Sequence, residues 1–169
     1  MSALGLAALA VAQADLAAGI RGGVSADGRT SAPRFSSPPV AARLAAVGID
    51  YPAPWCAAEV FHCFALAAGS HASPCPRTPS AVHLFKDAPE SCQRILPAPG
   101  DVFVVQHANG WSGHCGIVES VSPDYKAITT IEGDTNAAGS ATGDAMGRHT
   151  WNPDDGKRGR LLGYLEFGV

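Results

Sequence analysis

Apolar positions recur at helical spacing in the first half of the chain and as short, nearly continuous runs in the second. Near the start, Leu9, Leu16 and Ile20 fall on one helical stripe, and Gly22-Gly23 supplies a stop signal. A polar stretch containing glycine, serine and proline follows, from Gly22 to Pro39. Val40, Leu44 and Val47 then predict a short helix that Gly48 ends. Pro52 and Pro54 introduce the strongest amphipathic pattern, from about Trp55 to Ala68. Here Cys56, Val60, Cys63, Phe64 and Ala67 share one side. After the proline-rich connector Pro74 to Pro79, Ser80 to Ala88 fits a further short helix.

From Pro99 the periodicity changes. Asp101 to Gln106 follows a Pro-Gly turn signal and reads as a buried strand. His114 to Val121, Ala127 to Glu132 and Leu162 to Phe167 read as three more. Connections this short join antiparallel neighbours, because parallel pairs need long crossovers. Helices first and sheet afterwards give an α+β fold, with N-terminal helices packed on a C-terminal antiparallel β-sheet. Asn136 to Pro153, rich in glycine, alanine and serine, reads as a long loop at the sheet edge. No internal repeat or interdomain linker stands out, and 169 residues suit one domain.

Composition narrows the functional classes. A hydrophobic fraction of 46% and a charged fraction of 16% belong to a folded globular chain. A net charge of −3 offers nucleic acid no general attraction, and Lys157, Arg158 and Arg160 lie among acidic residues and glycines as a solvated turn. No apolar run reaches the roughly 18 residues of a membrane span. Leu4 to Val11 is apolar and Ala12-Gln13-Ala14 resembles a signal-peptidase site. Met1 to Gly5 carries no positive charge, however, so the segment is read as an integral helix and not as a cleaved signal peptide. The five cysteines form no C-x-x-C pair and no zinc spacing; Cys75 and Cys92 could pair in an oxidising compartment. Neither G-x-S-x-G nor H-E-x-x-H is present, which disfavours serine-hydrolase and zinc-amidase chemistry.

Cys56 is the first candidate for chemistry. It stands at the predicted first turn of a helix, where unpaired N–H groups and the helix dipole favour a nucleophilic thiolate. A small core residue is the usual fate of a lone cysteine. His114 opens a strand after the loop Asn109 to Gly113, where its ring can face a helix terminus, exchange the thiol proton and protonate a leaving amine. His62 falls off the Cys56 face of its helix and His107 ends the preceding strand; both compete less well. Glu132 closes its strand and is placed to orient the imidazole if the two strands are neighbours, with Asp134 and Asn136 as alternatives. Trp55 and Trp111 flank the candidate nucleophile and base and would suit the walls of a substrate groove. The Cys56 N–H is the natural first oxyanion donor, with Tyr51 a candidate second.

Together these segments resemble a family. Pro54-Trp55-Cys56-Ala57-Ala58-Glu59, Pro99-Gly100-Asp101-Val102, Gly113-His114-Cys115-Gly116-Ile117-Val118 and Ile131-Glu132-Gly133-Asp134-Thr135-Asn136 are similar, in order and separation, to four marks of CHAP domains; Gly163-Tyr164-Leu165 resembles their closing strand. The resemblance runs from about Val40 to the end. It implies a papain-like fold with Cys56 as nucleophile, His114 as base and Glu132 as orienting acid. Residues 40–169 would form the catalytic core and 1–39 an N-terminal helix and loop. It further implies amide cleavage in a peptidoglycan stem peptide or bridge by a monomeric endolysin or secreted lytic effector, made in the cytoplasm and acting at the wall or periplasm. A holin or an immunity protein would be its partner. Papain-like cleavage of a protein substrate and a non-catalytic wall-binding module are the alternatives. The chain departs from the family in carrying Asp134 where Asn is common. It also has one carboxylate, Asp50, in the stretch where some relatives bind calcium, so no metal and no cofactor are expected.

Overall fold

The computed structural model describes residues 1–23, 36–136 and 144–168. Four helices precede the sheet: α1 (Ala3–Ala17), α2 (Pro38–Ala46), α3 (Cys56–Ala68) and α4 (Ala81–Asp87). Six strands follow: β1 (Gln93–Arg94), β2 (Val102–Gln106), β3 (Gly113–Val121), β4 (Ile128–Thr135), β5 (Ala145–Trp151) and β6 (Arg160–Leu165). They form one antiparallel sheet in the order β1-β6-β2-β3-β4-β5. This is the α+β arrangement that the shift in periodicity predicts.

Ser2 starts α1: its hydroxyl accepts from the Gly5 N–H at 2.9 Å and donates to the Phe167 carbonyl at 2.6 Å, tying the first turn to the chain's last segment. α1 ends at Ala17, before the predicted Gly22-Gly23 stop, because Gly19 already supplies the left-handed turn (φ 67°) that closes a helix. Most of the predicted Gly22–Pro39 loop lies outside the described residues. α2 begins at Pro38 instead of Val40, since proline at the first turn gives up no helical hydrogen bond.

α3 buries Cys56, Val60, Cys63 and Phe64 as its spacing predicts. Its inner face joins α1, α2 and one side of the sheet in a core that includes Leu4, Leu44, Val104, Ile117 and Leu165. A smaller cluster of Phe103, Val105, Val118, Ile128 and Tyr164 covers the opposite side. The period-two alternation of strands explains the division, because neighbours along one strand go to opposite faces.

Several departures from the sequence reading concern strands, and the two-residue β1 is one that no apolar run announces. β5 occupies part of the segment expected to be a loop; its burial alternates weakly along a sheet edge, so no apolar run announces it. β4 runs on to Thr135, past the predicted end at Glu132. β6 lies at Arg160–Leu165, so Phe167 is free of the ladder and packs edge-on against Phe64, ring centroids 5.1 Å apart.

Candidate active site

Three elements converge on one buried group of side chains. Cys56 is the first residue of α3, capped by Trp55, and is 5% exposed. At that position the helix's first N–H groups have no partner within the helix and stabilise negative charge nearby.

His114 and Glu132 come from adjacent antiparallel strands, with Ile117 opposite Ile131 and Val118 opposite Thr130. This register brings the His114 Nε2 and Glu132 Oε2 atoms to 2.9 Å, both side chains being almost fully buried. Gly116 makes the crossing possible. A Cβ there would sit 2.8 Å from the Glu132 Cγ and 2.7 Å from the Ile131 carbonyl. The glutamate's other oxygen accepts from the Thr130 hydroxyl at 2.6 Å and from Arg158 Nη1 at 2.5 Å.

The electrostatics follow from this packing. Burial alone would push Glu132 up, yet His114 and then Arg158 hold its pKa down at about 2. Burial likewise opposes the charged imidazole, but Cys56 and Glu132 raise His114 to about 10. The Cys56 thiol is drawn well below its ordinary value, first by a hydrogen bond from the Cys115 thiol and then, against burial, by the His114 ring. Nε2 is committed to Glu132, and the buried Nδ1 has no hydrogen-bond partner among the described residues. These shifts all favour the charged forms: thiolate, imidazolium and carboxylate.

Cys115 is one residue that sequence reasoning missed. Its place beside His114 was visible, but only the fold brings its thiol to the Cys56 sulfur. Burial, and then the Cys56 charge, drive the Cys115 pKa well above the ordinary range, which keeps it a donor.

The remaining candidates divide. Asp134 is buried and in the left-handed region (φ 58°), at the irregularity of the β4–β5 register; Glu132 is the carboxylate at the ring. Asn136 is half-buried after the end of β4. Trp55 is corrected from groove wall to core: it is 0% exposed, and a Cβ on Gly133 would lie 2.7 Å from its ring. Trp111, by contrast, is 75% exposed on the β2–β3 hairpin, and Tyr51 is 60% exposed beside a depression lined by Leu44, Ile49 and Pro52. His62 pairs with Asp15 at 3.5 Å. His107, set aside as a strand end, is returned to the site's vicinity by the hairpin. Its pKa is lowered by burial and then by the His114 charge. All five cysteines are free thiols, so Cys75 and Cys92 are not joined.

Among the described residues, Asp15, Glu59 and Cys63 bring three possible metal ligands together. The guanidinium of Arg43 already bridges the two carboxylates, through Nε to Glu59 and through Nη2 to Asp15 at 2.6 Å. A cation of the chain's own thus fills that role, while burial still pushes Glu59 to about 7.

A family model described as CHAP domain matches residues 47–134, the span that contains Cys56, His114 and Glu132. No curated protein and no solved structure gives a significant match.

Proposed function

The chain belongs to the CHAP domain family, whose members are typically cysteine- and histidine-dependent amidohydrolases or peptidases, and from that premise we propose that it hydrolyses an amide bond of peptidoglycan with Cys56 as the nucleophile. One observation carries the reading: a buried imidazole holds an ionised carboxylate on Nε2 at 2.9 Å, and the same ring helps draw down the thiol of a cysteine at a helix N-terminus. The same arrangement is consistent with a papain-like CHAP fold.

The chemistry follows from those groups. The Cys56 thiolate attacks the carbonyl carbon, and the charge moving onto oxygen is met by the Cys56 N–H at the start of α3. The His114 imidazolium gives its proton to the departing amine as the C–N bond breaks, leaving a thioester on Cys56. Neutral His114 then takes a proton from water, whose oxygen attacks the thioester. The C–S bond breaks, releasing a carboxylic acid and restoring the thiolate–imidazolium pair. Glu132 stays ionised and holds the ring in register. The exposed Trp111, on the hairpin beside His114, is suited to contact the stem peptide or bridge. Its substrate would place the protein's work at the cell wall, after release by a holin or secretion with an immunity partner.

Cys56→Ala tests the proposal. Purified variant should lose lysis of isolated cell walls by about 10³-fold or more while its circular dichroism is unchanged, and His114→Ala should be nearly as damaging because the pair acts as a unit. Wall lysis retained by folded Cys56→Ala would end it.

A further inference from the structure

Arg158 lies beyond the span matched by the family model, in the turn between β5 and β6, yet it reaches the innermost member of the site. Its Nη1 donates to Glu132 Oε1 at 2.5 Å, and only 14% of its side chain is exposed. The guanidinium also lies over the Trp151 ring, 5.0 Å from the centroid. Trp151 in turn donates from Nε1 to the Thr130 hydroxyl at 3.1 Å, and Thr130 donates to the same Glu132 oxygen at 2.6 Å. The contacts close a ring: Arg158, Glu132, Thr130, Trp151 and back to Arg158. One carboxylate oxygen is held by this ring, and the other is free to face the imidazole at 2.9 Å.

We propose that Arg158, stacked on Trp151, is a positioning residue that fixes the Glu132 carboxylate, and through it the His114 ring, for the reaction. This rests on the reading of Cys56, His114 and Glu132 as the reacting set. A buried carboxylate with one cationic partner would be left with an oxygen to satisfy and could rotate toward either. Two donors on Oε1 remove that freedom, and the positive charge keeps the carboxylate ionised when the imidazole gives up its proton to the leaving amine. The planar guanidinium suits both tasks at once, since it can stack on the indole while its N–H groups point at the oxygen.

The test compares Arg158→Gln, Arg158→Lys and, as a control, Lys157→Gln, whose side chain is 82% exposed and pairs with Asp155. With isolated peptidoglycan, Arg158→Gln should lower kcat by about 10- to 100-fold with little change in KM, as misplacement of a reacting group does. The acid limb of its pH profile should move up by about one unit, because Glu132 loses a cation that holds it ionised. Arg158→Lys should recover part of kcat and most of the limb, and Lys157→Gln should match the parent protein. A substrate-free readout accompanies these: the carboxyl carbon resonance of Glu132, followed as the pH is lowered, should report protonation about one unit higher in Arg158→Gln than in the parent. If Arg158→Gln keeps the parent kcat, profile and Glu132 titration, the proposal is overturned. If the parent itself releases nothing from peptidoglycan, the functional reading fails, and the Glu132 titration still decides whether Arg158 holds the carboxylate. Should Arg158→Gln fold poorly, the Lys variant carries the test, since an unchanged acid limb with a tenfold lower kcat separates geometry from charge.

Discussion

The residues proposed to react owe their properties to partners distant in sequence. His114 is raised to about 10 because Cys56 and Glu132 favour its charged form more than burial opposes it. Removing Glu132's charge therefore lowers the pKa at which the imidazolium is lost. The alkaline limb of the activity profile of Glu132→Gln should move to lower pH by about one unit or more, with a fall in activity of about 10²-fold at neutral pH. A limb that stays in place, measured by initial rates of wall lysis from pH 6 to 10, would show that Glu132 does not govern the ring. At this scale the sequence reading placed Cys56 at a helix start and His114 near a strand start, as the fold has them, whereas Glu132 lies within β4 and not at its end. Cys115 and Arg158 were not legible. Nothing in a residue's neighbours along the chain reveals that its thiol will meet a cysteine from α3, or that a basic turn will fold inward.

Among the elements, helix α3 and strands β2 to β4 were readable from their periodicity, and the antiparallel pairing that joins His114 to Glu132 followed from short connections. β5 was not, since an edge strand with alternating exposure and a glycine-rich approach lacks the apolar run that signals burial. Trp55 was misread for a related reason: an aromatic next to a candidate nucleophile suits a groove as well as a core. The contact that decides it is with Gly133, on β4, which leaves the indole room beneath the sheet. Gly133→Ala should accordingly cost about 1–3 kcal/mol by forcing Trp55 aside. Denaturant unfolding followed by tryptophan fluorescence would measure it, and a midpoint equal to the parent's would contradict this packing.

Across the whole molecule, the helical layer and the sheet each supply half of the proposed chemistry. α3 brings the Cys56 sulfur and its positive helix end; β3 and β4 bring the His114 ring and the Glu132 carboxylate; the β5–β6 turn closes the back with Arg158. α1 packs against this frame closely enough that a Cβ on Gly5 would lie 2.8 Å from the Gly100 carbonyl, so the N-terminal helix is built into the fold that carries the site. The α+β class was legible from the change in period, whereas the closeness of these layers depends on glycines whose partners only the fold reveals. The central claim is that this frame hydrolyses an amide bond of peptidoglycan through Cys56. Mass spectrometry of fragments released from purified cell walls tests it most directly. The parent protein should release fragments carrying one new amine and one new carboxyl group per cut, and Cys56→Ala should release none. Release of fragments ending in new reducing sugars, or of the same amide-cleaved fragments by Cys56→Ala, would contradict the account.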